Sequence, residues 1–298
     1  MTNVLVLGGT RFFGKNLVEL LLKEQIEVTL LTRGQTEDEF GDQVKRLVVD
    51  REDAVALEKA IGNQQYDVVY DNICFTPQQA REAVAIFKHK AKRYILTSSL
   101  SVYDFGKGVL HEQDVDTHHY TIDKDPEAKL SYGEGKRQAE AVFFQQADFP
   151  VAAVRFPIVL GPNDYTKRLH FHIERVLSGK VIGISNIEAQ MNFIHEQEAA
   201  EFLFWLGISS DLTGPVNARS DGEVSLRELI QWIEQGTGQQ AIIQSETDED
   251  AQSPFGVPDS WIMDTSKAKQ AGFTFYVLSE WMPELIKHIT LATKQQNL

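Results

Sequence analysis

The chain has 298 residues, 42% of them hydrophobic, and a formal charge of −14 at pH 7. That length allows one large or two intimate domains, and the acidic balance argues against a nucleic-acid or anionic-membrane surface, which needs a basic face. A single cysteine, Cys74, excludes an internal disulfide and fits a reducing, cytoplasmic compartment, and no apolar run approaches the ~18 residues of a membrane span.

Strand 3–7 begins almost at Met1, so no signal peptide is expected. Helix 14–24 follows, with Leu17, Val18, Leu21 and Leu22 at helical spacing, then strands 27–32 and 45–49. Helix 52–61, strand 67–71, helix 77–89, strand 92–97, helix 131–147 and strand 151–156 continue the rhythm. Strand–helix alternation with near-continuous apolar strands predicts an α/β, doubly wound parallel Rossmann sheet. Segment 104–130 is long, polar and charged, as an active-site loop would be. The alternation breaks after Pro162, and 215–218 (PVNA) can return one more strand to the sheet. Residues 1–165 with about 191–220 are therefore expected to form the Rossmann domain, and 166–190 with 221–298 a smaller α+β substrate domain.

The opening stretch, VLVLGGTRFFGKNLVELLL, is a strand, a glycine turn and a helix. Gly8 and Gly14 occupy the first and third glycine positions of a dinucleotide-binding fingerprint, with Thr10, Arg11, Phe12 and Phe13 between them. Free amides at such a helix N-terminus bind phosphate. Strand 27–32 ends in Thr32 and Arg33, without the acid that would hold a ribose 2′-hydroxyl. Arg11 and Arg33 can clamp a 2′-phosphate instead, which favours NADP(H) and leaves NAD(H) open.

The loop, together with SSLSVY, SYGEGK and VRFPIVLGP, resembles the NAD(P)-dependent epimerase/dehydratase group of extended short-chain dehydrogenases/reductases. NFIHEQEAAEFL and MDTSKAKQAGF match later family segments, and GGTRFFG is similar to an atypical branch that includes the chloroplast stem-loop RNA-binding proteins. The resemblance implies that Asp50 meets the adenine. It also implies Tyr-x-x-x-Lys chemistry, for which the chain offers Tyr103/Lys107, Tyr120/Lys124 and Tyr132/Lys136. Only the third opens a helix, with Ser131 as N-cap and both side chains on one face. Tyr132 is then the acid–base group, its pKa lowered by the Lys136 ammonium. By the same resemblance Lys136 also holds the nicotinamide ribose, and Ser99 bonds the substrate oxygen, with Ser98 and Ser101 as alternatives.

Two departures narrow the substrate. Leu100 and Ser101 replace the acidic pair of sugar dehydratases, and Met191 stands where nucleotide-sugar enzymes carry a diphosphate-binding arginine. The pairs His118–His119 and His170/His172 lack further ligands at zinc spacing, so no metal is expected. Cys74 and the four tryptophans read as packing and His195 as structural, while Lys167, Arg168 and His170 fit either the pocket wall or a solvated basic surface. The expectation is an NADP(H)-dependent oxidoreductase or epimerase acting on a small molecule, without a membrane or nucleic-acid partner and with a homodimer left open. The alternative is a cofactor-binding regulatory or RNA-binding protein with little catalysis.

Overall fold

The structure is a computed structural model and describes residues 2–125 and 129–296. Residues 126–128 of the 104–130 segment therefore lie outside the described residues. Seven strands form one parallel sheet: β1 (Asn3–Leu7), β2 (Glu27–Thr32), β3 (Lys45–Val48), β4 (Val68–Asp71), β5 (Tyr94–Ser99), β6 (Val151–Phe156) and β7 (Gly214–Asn217). Their order is 3-2-1-4-5-6-7, and every neighbour pairs parallel. The direction of strand addition reverses between β1 and β4, and a crevice opens there at the carboxyl ends. The expected strand at 92–97 runs two residues later, which puts Ser99 at the last position of β5.

Helices cover both faces, so the strands carry apolar residues on both sides. On one face α1 (Phe12–Lys23) packs against α6 (Glu196–Ile208). On the other, α3 (Pro77–Phe87) packs against α4 (Tyr132–Gln146), with α2 (Ala54–Ile61) alongside. A second core forms where α5 (Arg168–Leu177), α7 (Leu226–Thr237) and α9 (Leu278–Gln296) meet around Leu169, Ile173, Leu229, Ile233 and Ile286. The chain crosses between the cores. Met191 and Phe193 belong to the second, whereas Ala268, within α8 (Ser266–Gln270), joins Phe275 in the first. No helix among the described residues is long and apolar enough to cross a membrane.

The polar centre of the fold is Arg155 on β6, which is fully buried. Its guanidinium donates to Glu140 of α4 at 2.6 and 3.0 Å, to the Tyr103 hydroxyl at 2.8 Å and to the Glu112 carbonyl at 2.9 Å. Glu140 also accepts from Ser98 of β5, and Tyr103 donates to Asn217 of β7 at 2.7 Å. Burial alone would lower the arginine's pKa, but the Glu140 carboxylate overrides it and holds Arg155 above its ordinary value. Removing one partner of such a pair leaves an uncompensated buried charge. Arg155→Met should therefore destabilise the protein by about 3–5 kcal/mol. Arg155→Met combined with Glu140→Leu should lose less than the single change, as read by denaturant unfolding. A single-variant loss under about 1 kcal/mol would show that the pair does not hold these elements.

Candidate active site

The crevice is a cleft of about 550 Å³, and it brings together every expected cofactor residue except Lys136. Gly8, Thr10, Arg11, Phe12, Phe13 and Gly14 line it from the loop, Arg33 from the end of β2 and Asp50 from the end of β3. Gly8 has φ +80°, and a Cβ there would stand 2.6 Å from Ile73. A Cβ on Gly14 would meet the Gly8 carbonyl oxygen at 2.4 Å, so α1 can start against the loop backbone only with glycine. Arg11, at the N-cap, makes no side-chain cap bond, and the first helical bond runs from Lys15 N to Arg11 O at 3.2 Å. The amides of Phe12, Phe13 and Gly14 thus face the cleft end without intrahelical partners, an arrangement suited to a phosphate-bearing ligand.

Two residues of this cleft carry no motif and escaped the sequence reading. Asn72 follows β4, donates to the Gly8 carbonyl at 3.2 Å and accepts from the Thr97 hydroxyl at 2.7 Å, tying the glycine loop to β5. Arg51, adjacent to Asp50, is buried and donates to Asp71 at 2.9 Å. Its Nε and Nη1 have no partner among the described residues. Only the partners, distant in sequence, distinguish either residue from an ordinary loop position.

The Tyr–Lys pair sits at the end of the cleft marked by Phe75 and Tyr165. Ser131 caps α4 by accepting from Glu134 N at 3.3 Å. The two glycines of SYGEGK let the helix press onto the strand ends: a Cβ on Gly133 would meet Ser101 O at 2.3 Å, and one on Gly135 would meet Phe75 O at 2.6 Å. Lys136 is buried, and its ammonium donates to the Cys74 and Thr97 carbonyls, each at 2.7 Å. Its third side faces the Phe75 ring, 4.4 Å from Nζ to centroid. Burial pushes the Lys136 pKa down to about 8.

Tyr132 differs from expectation. Lys136 Nζ stands 6.0 Å from its ring centroid and is committed to backbone carbonyls. The phenol is not drawn down by the ammonium. Its pKa is raised, because desolvation of the phenol outweighs the opposing influence of the neighbouring Ser99 and the positive charge of Arg168. Since 54% of Tyr132 remains exposed, the ring itself is open to a ligand. Ser99 also accepts from Ser101 N at 3.1 Å, which fixes its rotamer at the strand end.

The other candidates lie elsewhere. Tyr103 is buried in the Arg155 network, and Tyr120 donates to Glu134 at 2.9 Å. Both line a larger cavity, about 1250 Å³, between segment 102–124 and α4, which does not include Ser99, Tyr132 or Lys136. Cys74 is fully buried, and burial pushes its thiol up to about 12. His195 caps α6 by accepting from Gln197 N at 3.1 Å. His172 is buried against Ser253 at 2.7 Å, with its pKa lowered to about 4 by burial. No three His, Cys, Asp or Glu side chains converge as a metal site among the described residues.

Comparison with known proteins agrees with this geometry. A family model described as NAD(P)H-binding matches residues 8–160. The chloroplast stem-loop binding protein of 41 kDa b from Arabidopsis thaliana is 28% identical over 221 residues, 68% of this chain and 55% of that protein. The chain thus spans about half the length of this curated relative. The UDP-glucose 4-epimerase of Thermotoga maritima with UDP-glucose superposes with a TM-score of 0.73 at 15% identity, covering 100% of both chains. The UDP-glucose 4-epimerase of Thermus thermophilus in complex with NAD gives 0.68 at 17% identity, covering 97% of this chain and 99% of that one. The fold is that of these epimerases.

The buried lysine has a measurable cost. Its folded pKa of about 8 lies below the value of 10.5 it has when unfolded, so between them the unfolded chain holds a proton that the folded chain has released. Stability must rise with pH across that window. Comparing the native protein with Lys136→Met cancels other titrations. The native protein should gain about 2 kcal/mol on the variant between about pH 8 and pH 10, by chemical unfolding. A difference independent of pH would contradict the buried, charge-penalised lysine.

Proposed function

This chain belongs to the NAD(P)H-binding family, and on that premise we propose an NADP(H)-dependent oxidoreductase or epimerase that acts on a hydroxyl or carbonyl carbon of a small molecule, with Tyr132 as acid–base group. The observation that carries this reading is the meeting of Ser99, Tyr132 and Lys136 beside the cleft at the carboxyl ends of the strands. In this reading the open amides of α1 hold a pyrophosphate and Asp50 meets an adenine. Arg11 and Arg33 take a 2′-phosphate, and Lys136 reaches a ribose with the side now covered by Phe75. The bound nicotinamide supplies or takes up the hydride. Tyr132, protonated at neutral pH, gives its proton to the substrate oxygen in the reducing direction, and Ser99 bonds the same oxygen. The reverse direction needs the phenolate and gains with rising pH. The smaller core, drawn from 166–190 and 221–298 together with Met191 and Phe193, covers the substrate. Met191, buried in that core, offers no grip for a nucleotide-sugar diphosphate.

The similarity to a stem-loop binding protein favours a second reading, in which the chain holds a cofactor and binds a nucleic-acid stem-loop with little catalysis. The charge of −14 opposes it.

Tyr132→Phe should cut turnover by about 10²–10⁴ while NADPH affinity stays close to the native value. Arg33→Ala should weaken NADPH by about ten- to a hundredfold and leave NADH nearly unchanged. Equal NADPH and NADH affinities in the native protein, by calorimetry, would contradict the NADP assignment. A stem-loop RNA bound at physiological salt with a steep salt slope, in a protein without NADPH turnover, would replace the enzyme reading by the second one.

A further inference from the structure

Of the described residues that line the cofactor cleft, all but one lie between Gly8 and Gln79. The exception is Tyr165. It stands on segment 161–167, which leaves the second core after Leu160 and rejoins it at Leu169. Two successive turns close that segment, from Asp164 N to Gly161 O and from Lys167 N to Asp164 O, each at 3.2 Å. Asp164 is buried, and its carboxylate accepts from Thr166 N at 2.9 Å and from the Thr166 hydroxyl. Asn163 donates to the buried Glu196 at the start of α6, at 2.8 Å. The residues on either side of Tyr165 are thus pinned.

The side chain on this fixed mount is open. Tyr165 is 63% exposed, and its hydroxyl has no hydrogen-bond partner among the described residues. Its ring lies 5.9 Å from the Arg11 guanidinium carbon and edge-on to the Phe12 ring at 6.1 Å. Phe12 has φ +54°, a left-handed conformation that a non-glycine residue keeps only where its surroundings hold it. Phe13, at 5.6 Å, and Tyr165 flank its ring. The residue that opens α1 is therefore held in part from the second core. An aromatic ring with a free hydroxyl offers both apolar area and a polar handle to a ligand. We propose that Tyr165 is a cofactor-binding residue: it covers the part of the dinucleotide that the α1 amides hold, which NADH and NADPH share, and through it the bound cofactor ties the second core to the glycine loop. The proposal rests on the reading of the cleft as a dinucleotide site.

The test is calorimetric titration of the full chain with NADPH and with NADH. Tyr165→Ala should weaken both cofactors by about tenfold and to the same extent, whereas Arg33→Ala separates them. Tyr165→Phe keeps the ring and should recover part of the loss. The unfolding midpoint of each variant should match the native one, because the side chain is largely exposed. Hydrogen exchange reads the link between the cores. Saturating NADPH should slow exchange in 161–167 as well as around Gly8–Gly14, and Tyr165→Ala should abolish the first protection and keep the second. Affinities that ignore Tyr165→Ala, a loss confined to one cofactor, or protection of 161–167 that survives the variant would overturn the proposal. The two readings fail separately. A native chain that binds neither cofactor would remove the dinucleotide reading and the proposal with it. A native chain that binds NADPH with an affinity indifferent to Tyr165→Ala would sink the Tyr165 assignment alone.

Discussion

The ion pair between Arg155 and Glu140 is the constraint on which the site depends. Both side chains are fully buried, so neither can be left without the other. Glu140 lies one turn beyond Lys136 on α4, and it also accepts from Ser98, the neighbour of Ser99. The pair therefore sets the depth and rotation of α4 against β5. A helix rotated by one residue about its axis would swing Lys136 off the Cys74 and Thr97 carbonyls and Tyr132 away from Ser99. Tyr103, Glu112 and Asn217 extend the same network to β7 and to the segment after β5. The stripe of α4 that carries Tyr132 and Lys136 is in this sense held in place by Glu140, one turn further along the same stripe.

A second layer of polar contacts joins the two halves of the site. Asn72 bridges the glycine loop to Thr97, whose carbonyl accepts from Lys136. The loop that would take a pyrophosphate and the lysine that would take a ribose are thus two hydrogen-bonded residues apart. Asp71 does the same below, holding Arg51 and Tyr94 together beneath the cleft at 2.9 and 2.7 Å. Such networks fix side-chain positions around the cleft. The cleft wall, by contrast, carries open features: the exposed rings of Phe75 and Tyr165 and the unpaired guanidiniums of Arg11 and Arg33.

The sequence made the local parts of this plan readable. The turn at Gly8–Gly14 is set by residues adjacent in the chain, and the alternation of short apolar runs with amphipathic helices identifies the sheet. Choosing Tyr132 among three Tyr-x-x-x-Lys matches was also local, because only that one opens a helix behind an N-cap. What the sequence hid was long-range. Asn72, Arg51, Arg155 and Glu140 look like ordinary polar positions until their partners are known. Gly133 and Gly135 read as weak helix residues until Ser101 and Phe75 are seen pressed against them. The sign of the Tyr132 shift was misjudged for the same reason. Helical spacing places tyrosine and lysine on one face, but the carbonyls that hold the ammonium come from the loop after β4 and from β5, which no local pattern reveals.

The most direct measurement of this account is a crystal structure of the full chain with NADP⁺. The account places the pyrophosphate on the α1 amides and the 2′-phosphate between Arg11 and Arg33. It places the nicotinamide beside the Tyr132 hydroxyl and Ser99, with Lys136 in contact with the ribose. A dinucleotide whose nicotinamide lies away from Tyr132, or a Tyr132 turned to solvent in that complex, would contradict it.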